Sequence, residues 1–124
     1  MNFKFIVSIS ALLASQVAIA TDWPQFLGPN GNGIVKNDPQ LRLDWKTNPP
    51  KTAWTYQAGK GCSSLSISTR KVLTLGNQDG QDTLWCLDTL NGDLIWKHSY
   101  DEPLAAKYYT GGSSSTPTID GKHV

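Results

Sequence analysis

The 124-residue chain is short of the residues from which most catalytic and metal sites are built. It has two cysteines and two histidines; His98 and His123 stand alone, and neither a Cys-x-x-Cys nor a His-x-x-x-His spacing occurs. No metal-ligand pattern is therefore offered. Charge of one sign is also lacking. Eleven Lys and Arg stand against ten Asp and Glu, a formal net charge of +1, which leaves no basic patch for a nucleic acid backbone. The glycine pairs Gly31/Gly33 and Gly59/Gly61 do not follow a strand and open a helix, so they read as turns and not as phosphate cradles. Ser63, Ser64 and the run Ser113, Ser114, Ser115 have no paired base at usable spacing. The oxygen-rich run 77–82 lacks the bidentate glutamate and alternating ligands of a calcium loop and is expected to be a polar hairpin turn. Asp101 and Glu102 read as a solvated acidic pair.

Long apolar runs are missing as well. The mostly apolar stretch 5–14 follows Lys4 and precedes Ala18-Ile19-Ala20, the layout of a secretory signal cleaved after residue 20. Ser8, Ser10, Ser15 and Gln16 interrupt it, and it falls short of the roughly 20 residues of a spanning helix. Export to the periplasm or the medium is expected, with no membrane span once the signal is removed. The first cysteine is Cys62, so a lipid-anchored form is not expected either.

What is present is tryptophan, glycine and short apolar runs. Residues 21–52 form an extended lead-in rich in Pro, Gly and Asn, in which Trp23 and Phe26 are expected to pin the segment to the rest of the protein. From residue 53 the pattern changes to short strands, placed at 53–57, 64–68, 72–75, 83–87 and 94–98. Val72-Leu73, Leu84-Trp85 and Leu94-Ile95-Trp96 put apolar groups on both faces, so the sheet should have neighbours on both faces. Turns too short for parallel crossovers make it antiparallel. No helix of normal length is required.

Two internal repeats set the scale. Residues 63–72 align with 115–124 at an offset of 52, and Trp54 and Trp96 recur at 42. The insertion 100–110 accounts for the difference, and its Tyr108 and Tyr109 make it the expected contact loop. Periods of this size belong to propellers. Between Cys86 and Trp96 the chain reads Cys-Leu-Asp-Thr-Leu-Asn-Gly-Asp-Leu-Ile-Trp: two strand halves around a turn that Gly92 relieves and Asp88 closes. Trp96 then lies on the outgoing strand, able to cover a neighbouring sheet.

This run resembles the tryptophan-docking motif of the PQQ-like β-propeller repeats, the quinoprotein alcohol dehydrogenase-like family, in the form Ala-x-Asp-x-x-Thr-Gly-x-x-x-Trp. Asp88, Gly92 and Trp96 match it, while Cys86 stands in place of the alanine and Asn91 in place of the threonine. The opening Trp23-Pro24-Gln25-Phe26-Leu27-Gly28-Pro29 is similar to the mature N-terminus of many exported members. The resemblance implies an all-β fold of four-stranded antiparallel blades, with Asp88, Gly92 and Trp96 as structural blade-docking residues. Residues 53–124 are expected to hold about one full blade and parts of its neighbours, the first segment of a longer protein whose later blades are partners of this one. A complete chain would instead have to close its sheets by association between subunits.

Function follows in two forms. In the first, the exported propeller is a binding or assembly scaffold with a protein partner and no cofactor in this chain. In the second, implied by the wider family, it is the N-terminal part of a dehydrogenase that carries pyrroloquinoline quinone and calcium at the propeller axis and oxidises an alcohol or sugar. No catalytic, cofactor-binding or metal residue is assigned here. A Cys62–Cys86 disulfide stays open: their strands flank a third, roughly 9.5 Å across, beyond the roughly 7 Å that a bridge spans, but Cys62 precedes its strand and could curl back. In the docking motif Cys86 would be a buried small residue.

Overall fold

The computed structural model describes residues 21–36, 42–107 and 109–124. The expected signal at 1–20 and Tyr108 lie outside them. The fold is all-β: β1 (Ser66–Ser68), β2 (Lys71–Gln78), β3 (Gln81–Asp88) and β4 (Leu94–Asp101) form one open antiparallel sheet in the order β1-β2-β3-β4. Among the described residues, no helix is long and apolar enough to cross a membrane.

Local chemistry explains the turns. The β2–β3 hairpin closes with Gln78 opposite Gln81, so Asp79 and Gly80 alone make the turn, at φ 54° and 80°. That pair of left-handed residues is the two-residue turn whose twist matches the strands, and an Asp-Gly dipeptide supplies it readily. The β1–β2 turn has the same form with a harder sequence: Thr69 and Arg70 hold φ 45° and 64°. Asp22 of the lead-in braces it, accepting from Ser68 Oγ at 2.6 Å and from the Thr69 N–H at 3.3 Å.

The ladder sorts the side chains into two faces. Val72, Thr74 and Gly76 pair with Leu87, Trp85 and Thr83 on one face; Leu73, Leu75 and Asn77 pair with Cys86, Leu84 and Asp82 on the other. Val72, Leu73, Trp85, Cys86 and Leu87 are buried, so both faces of β2 and β3 are covered, as their two-sided apolar runs predict. β4 is instead exposed along its length, Leu94, Ile95 and Trp96 included, because the cover stops short of this edge strand. Full burial of a leucine such as Leu73 or Leu87 contributes about 2 kcal/mol.

On the first face the cover is the segment 54–58, which differs from expectation. It is extended and alternates half-buried and exposed residues as a strand would, yet it belongs to no ladder. It crosses over the sheet: Trp85 Nε1 donates to the Ala58 carbonyl at 2.9 Å, and the Tyr56 ring meets the Trp85 ring edge-on at 5.3 Å. Gly76 lets it in, because a Cβ there would run into the Ala58 carbonyl oxygen. A strand-like pattern reports burial on one side only, and lying across a face satisfies it as well as joining an edge.

The second face is covered by the chain after β4. Ser66 Oγ donates to the Pro117 carbonyl, and Asn77 Nδ2 donates to the Glu102 carbonyl at 2.9 Å. The lead-in pairs with the sheet through Trp23, whose N–H and C=O both bond Ile67, at 2.7 and 2.8 Å. Gly28 lies under the Trp23 ring, with 2.6 Å between Cζ3 and the place of a Cβ. Phe26 does not share this role; it is 61% exposed. No disulfide forms: Cys62 is an exposed free thiol and Cys86 a buried one, fully out of solvent in the packed face.

Candidate functional site

The turn joining β3 to β4 is closed by its own sequence. The Gly92 N–H donates to the Asp88 carbonyl at 2.9 Å, and the Asp88 N–H donates to Asp93 O at 2.9 Å. Asp88 Oδ1 accepts from the Leu90 N–H at 2.7 Å, while Oδ2 takes Arg70 Nη2 at 3.2 Å. Asn91 Oδ1 accepts from the Asp93 N–H at 3.1 Å. Gly92 holds φ 75°, where a side chain is strained. The exposed Arg70 pair adds little stability on its own.

Asp88 and Gly92 thus stand together, and Trp96 stands elsewhere. Trp96 pairs with Cys86 in the ladder and is 37% exposed. It borders a depression of about 310 Å³ shared with Leu73, Ile119 and Val124. The tryptophan on the turn is Trp54. Its indole N–H donates to the Thr89 carbonyl at 3.0 Å, and its ring lies against Gly92 so closely that a Cβ there would come within 2.7 Å. Sequence reasoning misses this partner, although Trp54 and Trp96 recur 42 residues apart, because the turn it covers lies 35 positions further along the chain.

A second relationship follows the other repeat. The segment containing 113–117 runs parallel to 61–66: the Cys62 N–H donates to Ser113 O at 2.8 Å, the Ser64 N–H to Thr116 Oγ1 at 3.2 Å, and Ser66 Oγ to Pro117 O. Ser64 and Thr116 are 52 positions apart, the offset of the internal repeat. Cys62, Ser64 and Ser66 thereby tie the first segment to the second, which gives these positions a structural role. Gly61 and Gly112 allow the approach, since a Cβ on Gly112 would meet the Lys60 carbonyl.

Among the described residues, no three of His, Cys, Asp and Glu converge on a common point able to hold a metal ion. Cys62 and Cys86 lie apart, one exposed and one buried. His98 and His123 are exposed. Burial pushes the Cys86 thiol above its ordinary value, partly offset by Lys71, which makes it a packing group and not a nucleophile.

Compared with protein-family models, with curated proteins and with solved structures, the chain finds no match in any of the three.

Proposed function

We propose that this chain belongs to an exported PQQ-like β-propeller protein that serves as a binding or assembly scaffold. One observation carries the reading: two sequence repeats lie side by side, parallel, and bonded at their own repeat offset, Ser64 to Thr116. Radially arranged blades bring equivalent inner segments together in this way, whereas the sheets of a sandwich face each other across a core. The seating of Trp54 on the Gly92 turn supports the same arrangement, with one unit's tryptophan fastened to the next unit's corner. The leader at 1–20 would deliver the protein to the periplasm or the medium. A scaffold role agrees with Asp88 and Gly92 being spent on the turn and Cys86 on packing.

The test is the protein as its native host exports it. Its intact mass is expected to lie several repeats above the 13.6 kDa of this chain. A mass equal to residues 21–124 alone would overturn the propeller reading in favour of association between subunits. Dye-linked oxidation of an alcohol or sugar after addition of pyrroloquinoline quinone and calcium would overturn the scaffold role in favour of a dehydrogenase.

A further inference from the structure

At the hairpin end of the sheet, the ladder sets three polar side chains in a row: Asn77 opposite Asp82, and Asp82 opposite Tyr100. The chain leaving β4 turns back at Glu102, whose N–H donates to the Gly80 carbonyl at 2.8 Å, and returns across this row. A cavity of about 200 Å³ is left between the row and the returning chain.

Asp82 is the unusual member. It is 7% exposed, and a carboxylate removed from water is costly unless it is hydrogen-bonded and paired. Its Oδ1 accepts from Asn77 Nδ2 at 2.7 Å, but among the described residues its Oδ2 has only a long contact with the Tyr100 hydroxyl, at 3.4 Å. An ionised carboxylate has about four acceptor sites, so capacity remains. Glu102 adds a second carboxylate to the lining, and no lysine, arginine or histidine among the described residues lines the cavity. Desolvation first, then the charge of Asp82 and the bond to it, then the charge of Glu102, push the Tyr100 hydroxyl above its ordinary value.

Ser113 gives an independent sign of a missing ligand. It also lines the cavity, is 6% exposed, and its buried Oγ has no hydrogen-bond partner among the described residues. Buried hydroxyls are ordinarily satisfied. Leu75, Leu104, Tyr100 and Tyr109 give the cavity apolar and aromatic walls, beside Ser114 and Ser115.

These features select one chemistry. An anion would be repelled by two carboxylates. An apolar molecule would leave Asp82 and Ser113 unanswered. A calcium ion takes six or more oxygen ligands and has no use for leucine walls, and the described residues offer no group of three metal-ligating side chains. An alkylammonium answers every feature: its N–H groups suit Asp82 and Ser113, its charge suits the carboxylates and the tyrosine rings, and its carbon chain suits the leucines. We propose that this cavity binds a small primary amine, with the ammonium against Asp82 and Ser113 and the carbon chain along Leu75, Leu104 and the rings of Tyr100 and Tyr109.

The site stands apart from the blade-docking turn, so its failure would leave that reading intact. The probe is n-butylammonium chloride titrated into the full chain, with 1-butanol, sodium butyrate and sodium chloride as parallel titrants. Nuclear magnetic resonance would follow the Asn77 side-chain amide and the Ser113 backbone amide. Saturable shifts are expected with butylammonium alone. Asp82→Asn should weaken binding about tenfold or more, and Ser113→Ala several-fold. Because no described group uses the Ser113 hydroxyl, Ser113→Ala tests the site even where Asp82→Asn disturbs folding. The proposal is overturned by the absence of saturation, by equal shifts with 1-butanol, or by unchanged affinity in Ser113→Ala.

Discussion

The indole of Trp54 covers Gly92 and bonds the carbonyl of Thr89, three residues away on the same turn, so ring and turn fit only while position 92 has no side chain. Gly92→Ala would meet both the strain of φ 75° and the ring, and should destabilise the protein by about 3 kcal/mol. Trp54→Phe keeps a ring over the glycine and loses one hydrogen bond, for a smaller cost of about 1 kcal/mol. Urea unfolding of the two variants would show this order. Equal costs would mean that the hydrogen bond, and not the close approach, fastens the turn.

The β1–β2 turn is an opportunity for stabilisation. Thr69 is β-branched and sits at φ 45°, a conformation that asparagine enters more easily. Thr69→Asn should raise stability by about 0.5–1 kcal/mol, since the N–H bonded to Asp22 is kept. Asp22→Ala should lower it, because the brace is lost while the strain stays. Thermal midpoints of the two variants are expected to move in opposite directions.

The thiols should separate cleanly by reactivity. Cys62 is exposed and Cys86 is buried with its pKa pushed up, so an aromatic disulfide reagent should modify one thiol quickly in the native protein and the second only in denaturant. Non-reducing peptide mapping should find no Cys62–Cys86 bridge.

Tyr100, although 46% exposed, should make stability depend on pH on the alkaline side. Desolvation, with Asp82 and Glu102 behind it, raises the folded-state value above the ordinary 10.0. The unfolded chain therefore ionises first as pH rises, and the stability this phenol contributes is complete below about 10 and lost as pH climbs through the folded-state value. The difference in urea midpoint between the native protein and Tyr100→Phe should be constant near neutral pH and change only on the alkaline side. A change already present at neutral pH would place the effect on another group.

Much of the sheet is legible in the amino-acid pattern. The strands expected at 72–75, 83–87 and 94–98 are present as β2, β3 and β4, the first four residues longer and the other two three residues longer. Gly76, Asn77 and Gln78 at the end of β2 look like the start of a loop, and only the ladder to 81–83 makes them strand. The segment 64–68 shortens to β1 because Ser64 is bonded to Thr116 of the returning chain. The segment 53–57 cannot be placed from its own pattern, since alternation does not distinguish a strand at an edge from one lying across a face. Asp88 and Gly92 are legible because a turn writes its needs in adjacent residues. Trp54 escapes because its partner is 35 positions away. The amine cavity leaves no local trace at all: Asp82, Tyr100 and Ser113 meet only through the register and the return of the chain.

The parallel contact between 61–66 and 113–117 encloses the entire four-strand meander within one long loop of chain. Neighbouring strands can zip together through turns of two to five residues in microseconds, as hairpins do, but this clasp must wait for the whole meander to collapse first. Its closure carries the loop entropy of some fifty residues, while the hairpins inside it carry almost none. The repeat offset that builds the clasp therefore also sets the order of events: β2, β3 and β4 assemble early, and the serine segments lock last. Pulsed hydrogen exchange should protect the amides of Leu73 and Cys86 before those of Cys62 and Ser64.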